Sequence, residues 1–480
     1  MSKPFLFLPG IQFPPPDSAV VRNNGQLVER FVRSVLGWFP PVSGATNLRL
    51  TSGFDTEKNS PVSPSFEFPS TLLEQVYQRL SKIDLQGVLS EPEQTTPVLD
   101  LHLTQFQQKL RQKALNKGWV LMRKLPWPAG KPMAAVLTHD VDLTRRYGPF
   151  QLARMLGKGQ WREFGQNLVE WIQGKNDYWT FPELVDFYDR RGGYATFFFL
   201  ARCVEGWGYR YDIRHGKFRR LLKELIGRGH EIGLHSSRYA QQHPERIIRE
   251  KNRLEKVLGQ KVAGVRQHYL NLTFPLAWER FAAAGFRYDT SVASNQTPGF
   301  VAGTSFPFVP ALHPDRLTEN FFEIPFSLMD YSWKKVADSP QKARNVLESL
   351  IHNVQKVNGI FHVLWHPSNL AEAEFQPLWE ILIEFWEGKN FYRNHLKGIR
   401  EWWQAREAIR IERVHWHDRF LKLVLSAPQP VHGLTLEVVS RQPVRVHRGP
   451  YHVVPKQDGV YHLIVQNFPA GEAEIALEMG

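Results

Sequence analysis

The sequence predicts an α/β protein. A parallel sheet with helices outside it is carried between an N-terminal mixed α/β region (residues 1–129) and a small C-terminal all-β module (residues 409–480), which leaves residues 130–408 as the central domain. Three observations predict this. From about residue 130 to 408, short apolar strand-like runs alternate with helical patterns, as β/α repeats do. After about residue 411 the helical spacing stops, and short runs separated by turn residues remain. Between the first two regions, WPAGKP at residues 127–132 reads as a boundary.

In the N-terminal region, VERFVRSVL (residues 28–36) has the spacing of an amphipathic helix, and the Pro-rich stretches PPPDS and PVSPS surround it. No function is read from this region. In the central domain, strands are expected at Met133–Leu137, Tyr194–Ala201, His230–Leu234, Val262–Arg266 and Ile360–Trp365. Phe218, Leu221, Leu222 and Leu225 hold one helical face. Ala343, Val346, Leu347, Leu350, Ile351, Val354 and Val357 hold another. Thr180 and Glu183 fit a capping box at a third helix start. Such alternation gives a sheet that is either open or closed into a barrel. In both, chemistry sits at the C-terminal strand ends. In the C-terminal module, Phe420–Leu425, Leu434–Val439, Gly459–Val465 and Ala473–Leu477 read as short strands of a small β-sandwich. Glycan binding is one use for such a module, and packing against the central domain is the ordinary one.

Composition narrows the function classes. The 60 basic against 47 acidic residues give +13 over 480 residues, a mild bias with no long Lys/Arg run, so a nucleic-acid partner is not expected. Cys203 is the only cysteine, so no intrachain disulfide is expected. No stretch reaches the roughly 18 apolar residues of a membrane helix, and the apolar start before Pro9 is too short for a signal-peptide core. The expectation is a soluble, cytoplasmic chain without an integral membrane segment. Its oligomeric state is not legible.

The stretch LTHDVDLT (residues 137–144) carries the first chemical signal. Strand side chains alternate with period two, so Asp140 and Asp142 point one way and His139 and Val141 the other. Two converging carboxylates repel unless a cation lies between them or one keeps a proton. Later strand ends supply partners: His235 closes GHEIGLH, Arg266-Gln267-His268 closes the run from Val262, and His366 closes GIFHVLWH. In a barrel these ends would meet around one pocket.

In this order, the motifs resemble those of the polysaccharide deacetylase (NodB-homology) family over about residues 130–400. Thr138-His139-Asp140-Val141-Asp142 resembles the family's first motif, a catalytic-base aspartate before a metal-binding one. GHEIGLHS resembles the histidine-ligand motif, Arg266-Gln267-His268-Tyr269 stands at the arginine motif, and FHVLWH resembles the last motif, ending in a general-acid histidine. The resemblance implies a distorted (β/α) barrel and a metal-dependent hydrolase that removes an acetyl group from an N-acetylated sugar of a polysaccharide or glycolipid precursor. It implies Asp140 as base, Arg266 as the residue that pairs with and directs it, His366 as acid, and Asp142 and His235 as metal ligands.

One departure stands out. The second histidine of the ligand motif, four residues after His235, is Tyr239 here. His268, at an adjacent strand end, is the expected replacement, and His243 is a weaker one. An Asp/His/His set suits zinc best and also takes Co, Ni or Fe. The YDTSV (288–292) and GFVAGTSFPF (299–308) stretches read as pocket loops or as ordinary turns. His362 is expected to fill the core rather than orient His366, and Trp365 and Trp333 lie near the pocket. The rival readings are an O-acetyl esterase on the same scaffold and an inactive glycan-binding pseudoenzyme.

Overall fold

The structure is a computed structural model that describes residues 5–7, 11–12, 30–37, 66–67, 76, 95–146, 148–173, 178–201, 211–310, 320–387 and 389–480. Cys203, the two Pro-rich stretches, and Val28 and Glu29 of the expected first helix lie outside these residues. Residues 30–36 are helical, and Phe31, Val32, Val35 and Leu36 are buried on one face.

The centre is a parallel sheet of β1 (Ala134–Val141), β2 (Thr196–Leu200), β3 (Glu231–Ser236), β4 (Gly264–Gln267), β5 (Tyr288–Asp289), β6 (Phe322–Glu323), β7 (Leu328–Met329), β8 (Ile360–Leu364) and β9 (Tyr392–Arg393). The order is β6-β5-β4-β3-β2-β1-β8-β7, with β9 also on β1. The edge strands β6 and β7 are neighbours in sequence, joined by residues 324–327 alone. That link spans at most about 19 Å. Laid flat, eight strands would set the edges about 34 Å apart. The sheet must therefore curl, and it forms a distorted (β/α) barrel.

Helices cover the outside: α1 (Val98–Lys117), α2 (Pro149–Gly157), α3 (Trp161–Ile172), α4 (Phe181–Arg191), α5 (Gly216–Gly227), α6 (Pro244–Leu258), α7 (Leu276–Ala283), α8 (Asp330–Val336), α9 (Pro340–Val357), α10 (Gln376–Trp386) and α11 (Leu396–Ala408). The expected faces of α5 and α9 are the buried ones, with Val346 only partly covered. The start of α4 differs from expectation. Thr180 precedes it, but the hydroxyl donates to the Pro367 carbonyl at 2.6 Å and caps nothing in its own helix. A tertiary acceptor outcompetes the local one.

The expected first strand is longer than its apolar run. β1 continues through Thr138, His139 and Asp140 to Val141, because parallel pairing with β2 continues to Val141. The C-terminal residues build strands β10 (Arg410–His417), β11 (Phe420–Ala427), β12 (Val431–Val439), β13 (Val444–Arg448), β14 (Tyr451–Pro455), β15 (Val460–Phe468) and β16 (Gly471–Met479). They form two sheets. One is β10-β11-β16-β13. The other runs β12-β15-β14 and continues from β12 onto Trp119–Lys124 and then Phe5–Phe7, so it draws on both ends of the chain. Glu437 on β12 fastens this junction through Arg111 of α1 and Arg123, with the Arg123 pair at 2.9 Å.

Candidate metal and catalytic site

Parallel registry places Leu364 beside Thr138, and His235 beside both Leu200 and Arg266. The C-terminal strand ends therefore share one rim, and all six expected site residues come together there. The alternation along β1 holds. His139 points away from the site: its Nδ1 donates to the Trp365 carbonyl at 2.9 Å and its Nε2 faces the Tyr188 hydroxyl at 2.8 Å. Burial lowers its pKa to about 3, so it is a neutral core residue.

Asp142, just past the strand end, faces three imidazoles. His235 Nε2 is 3.1 Å from Oδ1, while His268 Nε2 and His366 Nε2 are 3.4 and 3.6 Å from Oδ2. Burial works against its charge, but His268 and His235 hold the carboxyl well below the ordinary range. Asp142, His235 and His268 each offer an atom within 4.8 Å of the other two. The His235 ring is oriented by its other nitrogen: Nδ1 lies 3.0 Å from the Arg266 carbonyl and must donate, so Nε2 is the nitrogen that faces Asp142 and could bind a metal. Tetrahedral zinc holds its ligands roughly 3.3 Å apart. The 3.1 and 3.4 Å separations, one to each oxygen of Asp142, are of that size, the three donor atoms lie within 4.8 Å of one another, and buried Asp142 Oδ1 makes no hydrogen bond. One carboxylate oxygen and two imidazole nitrogens therefore fit a divalent metal of the zinc kind.

Tyr239 lies outside this group, 45% exposed, with the Arg238 guanidinium 5.3 Å from its ring. His243 is also exposed, 3.9 Å from Glu245 at the start of α6. The position opposite Asp142 belongs to His268, whose ring stacks on Tyr269 with centroids 4.1 Å apart.

Asp140 has a different partner. Arg266 Nη1 donates to its Oδ1 at 2.9 Å, and its Oδ2 is 3.7 Å from His235 Nε2. Arg266 is fully buried and uses its whole guanidinium fork. Nη1 also donates to Thr138 Oγ1 at 2.9 Å, Nε to the Thr290 carbonyl at 2.9 Å, and Nη2 to Thr290 Oγ1 at 3.1 Å and His362 Nε2 at 3.3 Å. Phe198 and Phe326 lie 4.6 and 4.8 Å from the guanidinium carbon. Gly233 makes this packing fit, because a Cβ there would sit 2.4 Å from the Phe198 ring. His362 is buried and neutral. Its Nδ1 donates to Pro325 O at 3.1 Å, and burial and then Arg266 hold its pKa well down. It braces Arg266 and has no hydrogen bond to His366.

His366 completes the rim. Its Nδ1 is 2.9 Å from Asp330 Oδ1, and its backbone N–H donates to Asp330 Oδ2 at 2.7 Å. Burial opposes the imidazolium, but Asp330, then Asp142 and Asp140, push its pKa up to about 9. Asp330 is fully buried and also accepts from Asn369 Nδ2 at 2.9 Å. Sequence reading missed it. It follows β7, a strand of two residues, which leaves no periodic run for a strand-end argument to use.

Of the two expected pocket loops, residues 288–292 support the site through Thr290. Residues 299–308 instead pack on α1, where Thr304 and Ser305 donate to buried Asp100 at 2.6 and 2.7 Å. Trp365 and Trp333 are fully buried core residues.

No family model and no curated protein matches this sequence. Among solved structures, the chain is similar to a Mycobacterium smegmatis protein described as a polysaccharide deacetylase (18% identity, TM-score 0.42, 59% of this chain and 94% of that one). It is also similar to a Pseudomonas aeruginosa protein so described (15%, TM-score 0.39, 57% and 92%). A third is an allantoinase (13%, TM-score 0.40, 58% and 92%).

Proposed function

We propose that this chain is a metal-dependent hydrolase of the polysaccharide-deacetylase kind, removing an acetyl group from an N-acetylated sugar of a glycan or glycolipid precursor. One observation carries the reading: two aspartates of one strand end have separate partners, Asp140 a buried guanidinium and Asp142 a set of imidazoles. Asp142, His235 and His268 would hold the metal, zinc being the best match to the donors. When bound, such a metal supplies a Lewis acid that polarises the acyl oxygen and makes water more acidic.

The rest falls to the chain. Asp140 accepts the proton of the attacking water as general base. Arg266 orients Asp140, and its five occupied donors leave it one conformation. His366, protonated through Asp330, gives its Nε2 proton to the leaving amine nitrogen as the C–N bond breaks. The proton lost by water and the proton gained by the amine thus pass through different residues. A precursor on the cytoplasmic side of the cell envelope is the substrate location we favour.

The test is acetate release from N-acetylated and O-acetylated sugar substrates, with zinc-loaded and chelated protein. Release from the N-acetylated substrate, lost on chelation and restored by zinc, is expected. Release from the O-acetylated substrate alone would make the chain an esterase. Neither release nor metal uptake would make it a pseudoenzyme.

A further inference from the structure

Between the candidate site and α4 the chain builds a helical hairpin, α2 and α3, and α3 exposes a group of large apolar residues. In α3 the residues Trp161, Phe164, Leu168 and Ile172 recur at helical spacing, with Val169 and Trp171 beside them. A helix of a globular protein turns such a stripe inward. Here no residue of α3 is buried: Phe164 and Leu168 are half-buried, and Trp161, Val169, Trp171 and Ile172 are 68, 52, 39 and 69% exposed. Grouped exposure of this kind marks an interaction surface.

Charge tells which partner fits. The hairpin tip, residues 153–162, carries Arg154, Lys158 and Arg162, all exposed, and no acidic residue. The acids of α3, Glu163 and Glu170, lie on the side opposite the apolar stripe. A surface meeting that stripe would thus meet Arg162 at its flank and the basic tip at its Trp161 end, with the carboxylates of α3 turned away. Tryptophan stands near both ends of the stripe, the position aromatic anchors take at a membrane–water boundary. Helix α3 is about 18 Å long, enough to lie along a surface and too short to cross a bilayer. Among the described residues no helix is long and apolar enough to cross one.

We propose that the α2–α3 hairpin seats this protein on an anionic lipid bilayer, with the apolar stripe of α3 in the headgroup layer and the basic tip on lipid phosphates. Only residues 143–148 separate Asp142 from α2. They span at most about 25 Å, so docking would hold the candidate pocket close to the lipid surface. The docking stands whether or not the pocket is catalytic.

The test is co-sedimentation of the full chain with vesicles of phosphatidylcholine alone and of phosphatidylcholine mixed with phosphatidylglycerol. Binding to the mixed vesicles is expected, weakening as salt rises. Trp161→Ser with Ile172→Ser should weaken it at least about tenfold at an unchanged thermal midpoint, since both residues face water. Arg154→Gln with Lys158→Gln should remove the preference for mixed vesicles while keeping the fold. The proposal is overturned if the wild-type chain stays in solution with both vesicle types, or if the Trp161/Ile172 variant binds as the wild type does. It is equally overturned if the chain is a dimer in vesicle-free buffer that this variant splits, because a second copy would then own the face.

Discussion

Glu231 and His235 stand at the two ends of β3, four residues apart and on the same face of the strand. At the Glu231 end the hydrogen-bond partners are neutral donors, and the one imidazole nearby, His395 at 3.7 Å, is kept neutral by burial, which lowers its pKa to about 4. The Thr196 and Tyr288 hydroxyls and the Lys397 amide reach its carboxylate at 2.8, 2.9 and 2.8 Å. Burial still outweighs them and pushes the pKa up to about 7. At the His235 end, Asp142 faces imidazoles, its pKa falls, and one buried oxygen makes no hydrogen bond. At both ends burial opposes the carboxylate charge, with Glu231 buried and Asp142 half-buried. A saturated ring of neutral donors makes a structural site. A carboxylate and two imidazoles that converge on one point, with a buried carboxylate oxygen left without a hydrogen bond, make a place for a cation. Burial alone does not separate the two; the partner chemistry does.

The sharpest way to break this contrast is at Asp140. Asp140→Asn should lower acetate release roughly 100- to 10,000-fold, the usual worth of a general base, and leave metal content unchanged. Metal loss in that variant would merge the two roles assigned to Asp140 and Asp142.

Asp330→Asn probes the proton donor. It should cost about 10- to 100-fold in activity. Asp330 raises the His366 pKa, so its removal lowers that pKa and moves the alkaline fall of the pH–rate profile to lower pH. An unmoved alkaline limb would mean that Asp330 does not hold the His366 proton.

Gly233→Ala tests the packing between the two ends. Displacing Phe198 from the Arg266 face should destabilise the fold by about 1–3 kcal/mol, read as a lower thermal midpoint. Glu231→Gln gives the smallest effect and concerns stability alone. The Glu231 pKa is raised from 4.5 to about 7, so its contribution is complete below about 4.5 and is lost as pH rises through about 7. The glutamine variant should flatten that slope in thermal midpoints measured from pH 4 to 8, with metal binding as in the wild type.

These contrasts also mark what the sequence could disclose. Asp140 and Asp142 were legible because period-two alternation is local. His235, Arg266, His268 and His366 were legible because each ends an apolar run long enough to recognise. Asp330 was hidden by a two-residue strand, and the bracing by Thr290 and His362 arises only when the sheet curls. Thr180 misled because a capping signal says nothing of a carbonyl 187 residues away. The pairing of Trp119–Lys124 with β12 was hidden for the same reason, since nothing local to either strand names a partner more than three hundred residues away. Tyr239 was conspicuous as a missing histidine, and the structure puts it on the surface while His268 takes the place beside Asp142.

Whether His268 has replaced the missing histidine is decided by the zinc content after loading and buffer exchange. About one equivalent per chain is expected for the wild type and for Tyr239→Phe, and a sharp loss for His268→Ala. A His268→Ala chain that holds as much zinc as the wild type would contradict that replacement.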